Sequence, residues 1–316
     1  TQEKGNFISR YMWSPTATVL SVTPLLGFEL YSLIKFKKLS KTGDKAGKAA
    51  FRNKFAKATP LLIGAGVVIL GGLEYLFSRN SKEKCEKFRQ DFLDINTTEA
   101  KLRDKMIRAS YIGATCSPVA EEVTINKNLI LDPVTNRRLK KLVKHELVHA
   151  KQYETIARSE NGIKKLNYAI LKSVAKNMNN PIAKAEIIDI YNDIIHDESG
   201  KFDNYILHIS GADVDLKKYI EGIHTVLLHP DTDAEGLPIV LDEEHYKKVI
   251  SKSGPLTKEE ETKAEKYYQA LLNYPQLTFW NMINPFSPYY NNLLEREAYR
   301  ENPNLMVYIR LLFGKG

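Results

Sequence analysis

A chain of 316 residues, 43% hydrophobic and 27% charged, is long enough to bury one large core or two modest ones, which excludes a disordered tail. The net charge of +8 is concentrated in the N-terminal third, so it does not describe a nucleic-acid-binding face and fits a membrane surface better. Two cysteines, Cys85 and Cys116, are too few and too isolated for a disulfide framework or a thiolate metal site, and are expected as two separate thiols.

Two apolar stretches come first along the chain, 16–34 and 59–77. Each is close to the ~20 residues that a helix needs to cross a bilayer. Each holds one charged residue, Glu29 or Glu74, and both contain Thr-Pro-Leu-Leu, which hints at a pseudo-repeated helical hairpin. The linker between them, 35–57, carries nine Lys or Arg against one Asp. Short basic loops stay on the cytoplasmic side, so both ends of the hairpin are expected outside. Gly64, Gly66, Gly71 and Gly72 favour lipid or close helix packing, because a glycine costs about 1 kcal/mol in a water-exposed helix. The competing reading is a buried helical hairpin in a soluble protein. A cleaved signal peptide fits less well, since the first apolar run starts well inside the chain and a second follows. Glu29 and Glu74 also raise a transporter reading, but both lie near expected membrane edges, and two helices per chain would need oligomerisation.

Residues 81–112 read as an amphipathic helical connector, with Phe88, Phe92, Leu93, Leu102, Met106 and Ile107 at helical spacing and a break near 96–98. A third region, 113–316, follows. Alternation over 121–131 predicts a strand or hairpin, and a helix is expected from about Thr135 to Arg158.

That helix contains His145-Glu146-Leu147-Val148-His149. Histidines four apart leave one helix face and can meet one cation, while Glu146 beside them can reach a water on that cation. Zinc takes neutral imidazoles at about 2.0–2.1 Å and lowers the pKa of its water towards ~7, and a neighbouring Glu then removes the proton. With seven His and 24 Glu in the chain, a chance occurrence has a probability of roughly one in a hundred. The competing reading is a solvated helix face with two ordinary histidines.

A catalytic zinc needs a third protein ligand. Glu154 points to another side of the helix. Glu186 lies on an expected helix with Asp189 and Asp193, which resembles the later glutamate helix of thermolysin-like enzymes. Glu295 and Glu297 sit on a further expected helix about 200° apart, so only one of the two can face a metal.

The segments HELVHAKQY (145–153) and NNLLEREAY (291–299) together resemble the gluzincin metallopeptidases, in particular a branch in which H-E-x-x-H-A-x-Q precedes a Glu-x-Glu-Ala-Tyr segment. The resemblance covers 113–158 and 285–312. It implies a zincin-like domain in which His145, His149 and Glu295 bind zinc and Glu146 is general base and proton shuttle. About 146 positions separate His149 from Glu295, so an inserted helical subdomain is expected over 160–280, and Glu186 stays open as an alternative ligand. Tyr289, Tyr290 and Tyr299 are candidate hydrogen-bond donors to a tetrahedral oxyanion, with Tyr299 closest to the motif. His196, His208, His224, His229 and His245 show no ligand spacing and are expected at the surface or in the core. Thr257 is expected to cap a charged helix, and 305–313 is an apolar terminal segment.

The expected fold is thus α+β and mainly helical: a hairpin over 1–80, a connector over 81–112 and a zincin-like domain over 113–316. The leading functional expectation is a membrane-anchored zinc peptidase acting on polypeptides, with a strand near 123–131 holding an extended substrate and lipid touching 16–34 and 59–77. The alternative is a structural or membrane-interacting component of a larger assembly, such as a phage virion, an injected phage protein or a secretion apparatus, that keeps the metallopeptidase scaffold. Neither needs nucleic acid.

Overall fold

The computed structural model describes residues 15–79, 83–88, 102–103, 114–125, 127–131, 136–178, 180–209, 212–275, 281 and 284–301. Most of the expected connector 81–112 and the apolar segment 305–313 lie outside the described residues. The fold is mainly helical, with two small sheets. The chain divides into two compact units, one of 1–96 with 126–139 and the other of 97–125 with 140–316.

The first unit is built on an antiparallel hairpin of α1 (Pro15–Lys41) and α2 (Lys45–Ser78). Gly43 turns the chain with φ +69°, a conformation that glycine adopts without steric cost. Asp44 then caps α2 by accepting from the Gly47 N–H at 2.7 Å. Phe28 of α1 stacks on Phe55 of α2 with ring centroids 5.3 Å apart, and Phe36 lies beneath Lys48 and Arg52. Pro24 and Pro60 sit inside the helices. Each removes a backbone donor, an interruption that membrane helices tolerate better than soluble ones. Among the described residues one helix, Lys45–Leu73, is long and apolar enough to cross a membrane, and none of its apolar window is buried. A second span over 16–34 is not shown. The short helix α3 (Lys127–Leu131) also belongs to this unit.

The second unit opens with a sheet of β1 (Leu102–Arg103), β2 (Ala114–Ser117) and β3 (Glu122–Ile125) in the order β1-β3-β2, with β1 parallel and β2 antiparallel to β3. The expected strand over 121–131 is therefore split. Alternation lasts only to Ile125, and Leu129, Ile130 and Leu131 are three apolar residues in a row, which period two cannot place on one face. They form the end of α3 instead.

Helix α4 (Asn136–Arg158) follows the expected bounds within a residue. It is followed by Asn161, whose φ is +56°, and Gly162, where any Cβ would lie 2.0 Å from the Ile156 carbonyl oxygen. The chain reverses there into α5 (Gly162–Asn177). The region expected as an insertion holds α5, α6 (Pro181–Ile195), the hairpin of β4 (Ile206–Ile209) and β5 (Ala212–Asp215), α7 (Leu216–Leu228), α8 (Glu243–Ser253) and α9 (Lys258–Leu272). Its core is formed by residues such as Leu171, Ile187, Val214, Ile223 and Val226, packed with Val119 and Ala120 of the β2–β3 turn. Buried Asn167 of α5 donates to the Pro238 carbonyl and accepts from the Val240 N–H, satisfying a loop backbone that would otherwise be buried unpaired. Thr257 caps α9 through a reciprocal capping box with Glu260. The chain then forms α10 (Pro288–Asn291) and α11 (Leu293–Glu301).

Candidate metal centre

The i, i+4 spacing on α4 puts the His145 and His149 rings on one face, with Nε2 atoms 3.3 Å apart. Glu295, the third residue of α11, meets them from the opposite side. Its two carboxylate oxygens lie 3.4 Å from His145 Nε2 and 3.4 Å from His149 Nε2. His145, His149 and Glu295 are all buried and together could hold a metal ion. Glu295 Oε2 and His145 Nδ1 are buried without a hydrogen-bond partner. A buried carboxylate oxygen left without a donor is costly, and a cation between the three side chains would remove that cost.

The remaining contacts hold these ligands in place. Tyr274 donates its phenol hydrogen to Glu295. Gln152, 1% exposed, accepts from His149 Nδ1 at 2.8 Å and donates to the Leu294 carbonyl at 3.1 Å. The Tyr299 ring lies against His145, with centroids 4.4 Å apart, and its hydroxyl is 3.4 Å from that of Tyr289.

Charge follows the packing. Burial lowers the His149 pKa, but the Glu295 carboxylate, the hydrogen bonds to Glu295 and Gln152 and the nearby Glu146 outweigh it and lift the value to about 9. Burial likewise pushes the Glu295 pKa up, but His149 and His145 hold it well below the usual carboxylate range. Glu146 is buried and its pKa is raised, by burial first, against the pull of His145 and His149 and of a hydrogen bond from the Cys116 backbone N–H. Strand β2 therefore reaches the glutamate of the motif through its backbone. Burial raises the Tyr299 pKa, so its phenol stays protonated and able to donate.

Of the four acids weighed as third ligand, the structure brings one to the histidines. Glu186 sits on the exposed face of α6, outside the group. It was a plausible ligand because its helix resembled a known glutamate helix, but that helix buries Ile187 and Ile194 and leaves Glu186 to solvent. Glu154 pairs with Arg158 and accepts from Ser253 Oγ, helping Arg158 to reach the Ser253 and Gly254 carbonyls at the end of α8. Glu297 accepts from Tyr267 and lies 3.9 Å from Lys263, so it faces α9 while Glu295 faces the histidines. Gln152 and Tyr274 were missed by spacing alone. Gln152 had a local signal, three residues past His149 on the same face, but Tyr274 had none. His245 is not at the surface: it lies 3.0 Å from Glu121, which is buried with φ +51°. No disulfide joins Cys85 and Cys116.

Compared with family models, with curated proteins and with solved structures, the chain matches none of them, so the site rests on its own geometry.

Proposed function

We propose that the chain is a membrane-anchored zinc metallopeptidase with a zincin-like domain, in which His145, His149 and Glu295 hold zinc and Glu146 is the general base. The observation that carries this is the convergence of three buried side chains: His145 Nε2 and His149 Nε2 lie 3.3 Å apart, and each lies 3.4 Å from a different oxygen of the Glu295 carboxylate. Two imidazoles and a carboxylate suit zinc better than calcium or magnesium, which prefer oxygen alone.

Zinc held there supplies Lewis acidity, which acidifies a water and polarises a peptide carbonyl. The chain does the rest. Glu146, fixed by the Cys116 N–H and with its pKa raised by burial, takes the proton from the attacking water and returns it to the leaving amine. Tyr299, kept protonated, donates to the oxyanion. Because β3 is paired on both sides, an extended substrate cannot run along 123–131 as the sequence suggests. The outer side of β2, where Cys116 already meets Glu146, is the alternative.

The exposed apolar surface from residue 59 onward in Lys45–Leu73 supports the anchor, with 16–34 as its partner span and the basic linker 35–57 on the cytoplasmic side. In the presence of zinc, wild-type protein should cleave an unfolded protein such as casein, and Glu146→Gln should keep its metal while losing about 100-fold or more in rate. Equal turnover by Glu146→Gln contradicts the mechanism.

One observation favours a second reading, a structural metal clasp within a larger assembly such as a phage virion or secretion apparatus. His145, Glu146, His149 and Glu295 are each at most 6% exposed, and structural zinc sites are closed where catalytic ones keep an open position. Stoichiometric zinc without turnover, in protein that purifies as a stable member of a large assembly, would select it.

A further inference from the structure

We propose that Gln152 is a positioning residue that couples metal loading at His149 to the docking of α11, the helix that brings Glu295. This rests on the reading of His145, His149 and Glu295 as a metal site. The argument begins with the amide. A backbone carbonyl can only accept, so the Gln152 group 3.1 Å from the Leu294 carbonyl must be its NH2. That fixes the other end as the oxygen. The atom facing it 2.8 Å away, His149 Nδ1, must then donate. In the neutral ring this leaves the proton on Nδ1 and the lone pair on Nε2, which is the atom turned to His145 and Glu295.

The same amide therefore performs two tasks at once. It selects the tautomer in which His149 can bind a cation, and it ties α4 to the residue next to Glu295. Both bonds are shielded from water, since Gln152 is 1% exposed and Leu294 fully buried. On its far side α11 is held independently: Asn292 donates to the Ala270 carbonyl of α9, and Glu297 accepts from Tyr267. Between α4 and α11 the named polar ties are Gln152 and the ligands themselves. Withdrawing α11 from α4 would take away the Leu294 carbonyl that fixes the orientation of the Gln152 amide against His149, and with it the metal's third ligand. Metal binding should in turn hold α11 down, as reciprocal linkage requires.

The two tasks are separable by substitution. Gln152→Glu keeps an acceptor for His149 Nδ1 but sets a carboxylate against the Leu294 carbonyl, whereas Gln152→Leu removes both bonds. The experiment measures zinc affinity of the full chain by chelator competition, the absorption spectrum of the cobalt-substituted protein, and amide hydrogen exchange of 293–301 with and without zinc. In wild type, zinc should slow exchange over 293–301. In Gln152→Leu, zinc affinity should fall about 10–100-fold, the cobalt spectrum should change and the zinc-dependent protection should disappear, while α9 exchanges as in wild type. Gln152→Glu, close to Gln in shape and so the safer variant to fold, should lose the protection of 293–301 but keep more of the affinity than Gln152→Leu. Wild-type affinity together with wild-type protection in either variant overturns the coupling. Wild-type protein that binds no metal overturns the metal site itself, a separate result from failure of the coupling in protein that does bind.

Discussion

The two units invert the usual distribution of polarity in opposite directions. On the hairpin, apolar side chains face outward: Leu61 is 76% exposed, Val68 74% and Leu33 67%. In the second unit, charged groups face inward, with His145, Glu146, His149 and Glu295 all buried. Each arrangement is costly in water, and each becomes favourable with one addition. Lipid removes the cost of the first, and a cation removes the cost of the second. Both features thus point to something the polypeptide alone does not supply. Their difference is in scale. On the proposed reading the hairpin is covered by lipid over about 30 Å of helix, whereas the buried cluster takes one ion.

Substitutions that restore or worsen the inversion should separate the two. The largest effect is expected from Glu295→Ala, which takes from two buried histidines the carboxylate that faces them from α11. It should abolish metal binding, and in metal-free protein it should lower the stability of the second unit by about 3–5 kcal/mol, read by denaturant unfolding. Removal of metal from wild type, in contrast, should leave His149 and Glu295 paired and the unit folded. Next comes Val68→Lys, at an exposed apolar position of α2. A charge near the centre of a span costs about 2.5–3.5 kcal/mol, so this variant should be extracted from vesicles by alkaline wash where wild type remains, with metal content unchanged. If Val68→Lys changes nothing, the outward apolar face is not in lipid. The smallest effect is expected from Thr257→Ala, which removes the cap of α9 and touches neither inversion. It should cost about 1 kcal/mol of stability and leave both metal content and membrane retention as they were.

These expectations also mark which parts of the molecule were legible in the sequence. His145 and His149 were readable because four residues along a helix is a local rule, and α4 itself was readable because apolar residues recur at helical spacing at Leu139, Val143, Leu147, Ala150, Tyr153 and Ile156. Glu295 was readable only by resemblance. Nothing in spacing distinguishes it from Glu186, and the choice between them depends on which helix packs its acid inward, a property of tertiary contacts. Tyr274 belongs to the same class, lying 21 positions from the carboxylate it donates to. The strand 122–125 was readable, but its central place in the sheet was not, because the pairing of β1 with β3 joins residues far apart in the chain. Hence the strand expected to hold substrate is paired on both sides. The hairpin was legible as two apolar runs around a basic linker, while composition by itself cannot tell a lipid-facing helix from one that packs on protein. For one helix the structure adds that the apolar window of Lys45–Leu73 is not buried against protein.

The central claim is that His145, His149 and Glu295 converge on one zinc ion, and zinc-edge X-ray absorption of the purified full chain tests it most directly. One zinc per chain, with a shell of nitrogen and oxygen neighbours at about 2.0–2.1 Å, two imidazoles among them, and complete loss of the signal in His149→Ala, is the predicted result. A chain without bound metal, a shell containing sulfur, or full zinc content in His149→Ala would contradict it.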